Sequence, residues 1–182
     1  MGVYAVLVSD SNIIKAADSY KSILILGCTS CANVSIAYEK GQPVYQVSVD
    51  DTTGKPKLSP YSITKEAERI KGLLEEKGSK VKLDFMSTLC WASTDRKLSK
   101  IMGDPGWADP DFADRYSGAE AVIALSCSDG VLGLKSRLGE DVKIIPVMKT
   151  VGTSLVYLTL DEAGEFIRVD PEKSLFTRKT RR

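Results

Sequence analysis

Four cysteines are the residues of this chain whose type and spacing could do chemistry. Cys28 and Cys31 form a CxxC pair inside the run Ser22 to Val34, which reads Ser-Ile-Leu-Ile-Leu-Gly-Cys-Thr-Ser-Cys-Ala-Asn-Val. Cys90 and Cys127 stand singly, each after an apolar run. Four thiolates can hold a 4Fe-4S cluster or a tetrahedral zinc ion, and ligand identity alone does not separate the two. Histidine is absent, which excludes an imidazole-based triad and any zinc site built with His.

Three readings of these thiols stay open from the residues themselves. Free cysteine is among the most often buried residue types, so four unrelated core cysteines are the plainest account. Against it, none falls in mid-strand or mid-helix, and each has small or polar neighbours, among them Gly27, Ser30, Thr88, Ser126 and Ser128. A redox dithiol at Cys28 and Cys31 is the second reading, because a helix start lowers a thiol pKa. It leaves Cys90 and Cys127 without a role. The third is a metal site with all four as ligands. Structural zinc normally draws on two CxxC-like pairs, so one pair with two distant singles favours a cluster over zinc.

Other groups are weaker. Asp10, Asp50, Asp51, Asp84, Asp95 and Asp129 form no convincing carboxylate dyad, and Gly103 to Trp107 is too irregular for a phosphate loop. Trp91, next to Cys90, is placed to shield a cluster from water or simply to pack.

The elements that position the thiols follow from periodicity. Ile23 to Leu26 is an unbroken apolar run, suited to a strand buried on both faces. A helix from Cys31 to Glu39 stops before Gly41 and Pro43. Val44 to Val49 permits a brief strand, and Asp50 to Ser59 reads as a polar Gly/Pro loop. Ser59-Pro60 sets up a helix with Ile63, Ala67, Ile70 and Leu74 on one face, ended by Gly78. Val81, Leu83 and Phe85 alternate as a strand, and a helix is expected over 93–102, a loop over 103–110 and a short helix to Tyr116. Strands at Ala121 to Ser126 and Val142 to Val147 flank a helix, Gly130 to Leu138, capped by Asp129. Ahead of these, Met1 to Asp10 reads as an edge strand or an arm, and Asp10 or Ser11 caps a short helix carrying Ile13, Ile14 and Ala17. Leu155 to Leu160 and Glu165 to Val169 pair as a hairpin, and the basic tail, with Arg178, Lys179, Arg181 and Arg182, reads as a solvated end.

Strands alternating with helices predict an α/β fold: a mostly parallel sheet with helices on both faces, flavodoxin- or Rossmann-like, with a C-terminal β-hairpin. The expectation is a single domain over 1–182, with its core at about 12–150 and the hairpin and tail at 151–182. Ligands of such sheets bind beyond the carboxyl ends of the strands. Cys28, Cys90 and Cys127 fall at three such ends, so convergence on one crevice is expected.

With 182 residues, 43% hydrophobic and 27% charged residues and a net charge of +1, the composition is that of an ordinary soluble domain. Nothing in that balance argues for nucleic acid or a membrane surface. No run approaches the roughly 20 apolar residues of a membrane span, and no signal peptide is read. The expected compartment is the cytoplasm, where reduced thiols favour metal or redox roles over disulfides.

The strand and motif Ile-Leu-Ile-Leu-Gly-Cys-Thr-Ser-Cys-Ala-Asn-Val, followed by Leu89-Cys90 and Val-Ile-Ala-Leu-Ser-Cys127, resembles the methylenetetrahydrofolate reductase C-terminal family, the MetV-type accessory subunit. The likeness covers about Ser22 to Met148. It implies a non-catalytic subunit that binds an iron-sulfur cluster, or zinc, and links a flavin-containing reductase to an electron source. Cys28, Cys31, Cys90 and Cys127 match the family's thiol positions. Longer members carry a further cysteine-rich, ferredoxin-like segment that has no counterpart here, and Gln42 to Ser59 and Gly103 to Asp111 depart from the usual pattern. The expectation is therefore one 4Fe-4S cluster in an electron-transfer subunit partnered by a flavin reductase or another redox protein. The alternatives are a zinc-thiolate protein, structural or handling a methyl group or thiol, and a free-standing CxxC dithiol oxidoreductase.

Overall fold

The computed structural model describes residues 2–87, 89–90, 116, 118–138 and 142–179. The expected helix over 93–102, the loop over 103–110, Trp91, Arg181 and Arg182 lie outside the described residues.

The centre is a four-stranded parallel sheet made by β2 (Ser22–Cys28), β5 (Lys80–Met86), β6 (Ala121–Leu125) and β7 (Lys143–Pro146). Its spatial order is β5-β2-β6-β7. The apolar runs read from the sequence form its two middle strands, and Ile25, Leu26, Ile123, Ala124 and Leu125 are fully buried. Order reverses at β2: the chain leaves it for β5 on one side and returns to β6 on the other. That reversal opens a crevice at the carboxyl ends of β2 and β6.

Two further sheets are antiparallel, so the sheet structure as a whole is not mostly parallel. β8 (Met148–Leu155) lies between β1 (Gly2–Leu7) and β11 (Leu175–Arg178). The other sheet runs β4 (Pro56–Pro60), β3 (Tyr45–Val49), β10 (Phe166–Val169), β9 (Leu158–Leu160). The reason is connection length: β3 and β4 are joined by the turn 50–55, β9 and β10 by 161–165, and short links cannot make the crossover that parallel pairing needs.

Several expectations are corrected in detail. Asp50 to Ser59 is not all loop. The Asp50 carboxylate accepts hydrogen bonds from the Thr52 and Thr53 N–H groups at 3.1 and 2.8 Å, which closes a turn, and Leu58 then pairs with Val47. Pro60 ends β4 instead of opening a helix. The tail is not all solvated either: β11 is a paired strand, Phe176 stacks on Tyr38 at 3.7 Å, and Arg178 reaches Glu39 at 3.3 Å. The N-terminal segment is a strand at the edge of its sheet, and the C-terminal hairpin is present, with β9 paired to β10.

Four helices are described: α1 (Asp10–Ala17), α2 (Cys31–Lys40), α3 (Ser62–Glu75) and α4 (Ser128–Leu138). α3 carries the expected stripe, with Ile63, Ala67, Ile70 and Leu74 buried against β2 and β5. Gly41, at φ 62°, ends α2 in the left-handed conformation glycine adopts without strain. A network ties three helices together. The buried Glu66 carboxylate receives Lys40 and Arg69, and Arg69 continues to Asp10 through two bonds of 2.7 Å. Among the described residues, no helix is long and apolar enough to cross a membrane.

Candidate thiol centre

Each cysteine owes its place to a strand end or a helix start. Cys28 is the last residue of β2, in register with Met86 of β5. Gly27 before it has no room for a side chain, since a Cβ there would lie 2.7 Å from Phe85. Cys31 is the first residue of α2. Cys127 occupies the N-cap place of α4, its carbonyl accepting the Val131 N–H at 3.1 Å. Cys90 follows Leu89, a fully buried residue beyond the end of β5.

These placements leave the thiols within electrostatic reach of one another, without gathering three of them into a group that could hold a metal ion among the described residues. The charges of Cys31 and Cys127 both act on Cys28, and those of Cys28, Cys31 and Cys127 all act on Cys90. Cys28, Cys90 and Cys127 thus stand at or beyond the carboxyl ends of β2, β5 and β6, on the side of the sheet where strand order reverses. Backbone amides point at the sulfurs: Leu89 and Ser30 donate to Cys28, and Asp129 and Gly130 donate to Cys127. Cys127 thus caps its own helix through sulfur, a role the sequence pattern assigns to Asp129. Burial outweighs these donors, pushing the Cys28 and Cys127 thiols up and Cys90 to about 11, with the neighbouring thiols adding to the rise. In the absence of a cation the three stay protonated at neutral pH.

Two residues that support the centre carry no signal in the sequence pattern. Gly130 sits where a Cβ would come within 2.8 Å of Ser126 Oγ and 3.2 Å of Leu89 Cβ. A glycine there lets α4 close onto the segment that bears Cys90. Tyr45 of β3 donates its hydroxyl to the Thr29 carbonyl at 3.0 Å and so holds the turn between Cys28 and Cys31. Both could be recognised only once β3 and α4 were packed against the crevice.

The donor set suits a soft metal group: sulfur ligands from three separate strand ends, amide donors on two of them, and two helix N-termini facing the site. Among the described residues, no three Cys, Asp or Glu side chains form a group that could hold a metal ion as they stand. A single tetrahedral ion, with metal–sulfur bonds of about 2.3 Å, demands the closest approach of four thiolates. A multi-iron body demands less. Beside the centre, Cys31 also lines an open cleft of about 330 Å³ with Tyr45, Ser154 and Leu155. Compared with protein-family models, with curated proteins and with solved structures, the chain gives no match.

Proposed function

We propose that this chain is a non-catalytic, electron-transferring subunit of a one-carbon-metabolism oxidoreductase complex of the methylenetetrahydrofolate reductase type, binding one 4Fe-4S cluster. Cys28, Cys31, Cys90 and Cys127 are the ligands. The observation that supports this reading is the placement of Cys28, Cys90 and Cys127 at or beyond the carboxyl ends of three neighbouring parallel strands, with Cys31 at the start of α2.

Such a cluster supplies one-electron uptake and release. The chain's own residues prepare the site for it. The Leu89, Ser30, Asp129 and Gly130 amides donate to sulfur and favour its anionic form, which raises the potential at which an electron is accepted. Burial of Cys28 and Cys127 excludes water, and the high thiol pKa values make ligation release protons. A flavin-containing reductase or another redox protein is the expected partner.

Anaerobic reconstitution of the full chain with iron and sulfide tests the assignment. Broad absorbance in the blue and about four irons per chain are expected, and each single Cys→Ser variant should lose most of the iron. A colourless protein that takes zinc and no iron overturns the cluster in favour of a zinc-thiolate site. A metal-free chain whose dithiol oxidoreductase activity survives Cys90→Ser and Cys127→Ser would point to the CxxC dithiol alone.

A further inference from the structure

The cleft beside Cys31 is bounded by β1 and β8 and by the start of α2, away from the packed interior that covers Cys28 and Cys127. Its volume of about 330 Å³ lies within the range of small-molecule sites. None of the described residues lining it carries a charge, and Val34, Leu155 and Val156 supply an apolar wall.

Two features mark it as a built site. Ser154 is 96% buried as a residue and lines the cleft, and no hydrogen bond joins its hydroxyl to another described residue. The oxygen itself is not among the buried, unpaired polar atoms, so it opens into the cleft and is free to bond what enters it. Residue 2 is also glycine. A Cβ at Gly2 would lie 3.1 Å from Ser154 Oγ and 3.5 Å from Cys31 Sγ, so hydroxyl and sulfur flank one small space that any larger residue would fill. Tyr45 borders the same space with its hydroxyl already committed to Thr29.

We infer that the space between Cys31 and Ser154 is a binding site for a small uncharged group bearing a carbonyl-type acceptor, which Ser154 holds by a hydrogen bond against the Cys31 sulfur. An anion is disfavoured because the described residues of the wall offer it no cation and would strip its water. The inference concerns the metal-free chain and does not depend on the cluster assignment, since Cys31 and Ser154 form the site as they stand.

Alkylation of the full metal-free chain by iodoacetamide and by iodoacetate is the test. The two reagents are nearly equal in size and differ in charge. In each reaction a sulfur–carbon bond forms, the carbon–iodine bond breaks, iodide leaves and the thiol proton goes to solvent. Rates at each cysteine are read by peptide mass spectrometry. At Cys31 the ratio of iodoacetamide to iodoacetate rates should exceed that of the denatured chain at least tenfold. Ser154→Ala should lower the iodoacetamide rate at Cys31 by about twofold to tenfold, the range of one hydrogen bond. Gly2→Val should lower it more than tenfold, while the rate at Cys90 and the circular dichroism spectrum stay as in the parent chain. Cys31 rates that ignore both substitutions in a folded protein, or a reagent ratio equal to that of the denatured chain, overturn the site. Loss of iron binding with these rates intact would remove the cluster proposal and leave the site standing.

Discussion

At the residue scale, the centre depends on side chains that are missing as much as on those present. Gly130→Ala would place a methyl within 2.8 Å of Ser126 Oγ and 3.2 Å of Leu89 Cβ. Neither neighbour can retreat, because Ser126 and Leu89 are both fully buried. The substitution should destabilise the fold by about 1–3 kcal/mol, measured by urea unfolding. It should also lower the iron retained after reconstitution, because it wedges the Cys127 helix from the Cys90 segment. Tyr45→Phe removes one hydrogen bond to the CxxC turn and should cost about 1 kcal/mol in the same assay. The four thiols were legible from residue type and from their position after apolar runs. Gly130 and Tyr45 were not, since their roles come from packing partners distant in sequence.

At the element scale, the ion network between α1, α2 and α3 makes acid stability predictable. Burial raises the Glu66 pKa, but the Arg69 and Lys40 partners outweigh it and leave the group below its ordinary value near 4.5. A lowered folded-state pKa contributes stability that is complete above about 4.5 and is lost as pH falls through the folded value. Glu66→Gln should therefore cost about 2 kcal/mol at pH 7, less than a fully buried pair because Lys40 and Arg69 are each about one-third exposed. The difference from the parent chain should shrink as the pH drops below 4, followed by denaturant titration across that range.

The same scale shows where sequence reading succeeds. β2, β6 and α3 were legible because burial imposes an unbroken apolar run on the strands and a regular stripe on the helix. β8 was not. It reads Met-Lys-Thr-Val-Gly-Thr-Ser-Leu, and its inward positions include Gly152 and Ser154 in place of large apolar residues. β11 was hidden among basic residues because Arg178, though largely exposed, also reaches Glu39 and the Tyr4 ring. The parallel sheet and the β9–β10 hairpin were thus foreseeable, while the rest of the two antiparallel sheets depended on pairings between segments that look like loops.

For the molecule as a whole, metal and fold should be coupled. Because the thiols do not stand as a ready-made group, holding a cofactor must draw the ends of β2, β5 and β6 together, and whatever binds only the folded chain stabilises it. Thermal unfolding of the reconstituted protein should occur several degrees above that of the apoprotein, and anaerobic chelation should reverse the gain.

The place of β8 between β1 and β11 ties the Cys31 cleft to pairings outside the parallel sheet. The parallel sheet ends at Pro146, yet one wall of the cleft belongs to a strand whose outer neighbour is residues 175–178. Gly152 meets Thr177 so closely that a Cβ there would lie 1.7 Å from the Thr177 oxygen, so β11 seats only against a bare backbone. Gly152→Ala should unseat β11 at a cost of about 3 kcal/mol, read as faster proteolysis after Leu155 and as an earlier unfolding transition. The wall of the Cys31 cleft therefore rests on pairings that reach from residue 2 to residue 178, outside the parallel sheet that carries Cys28.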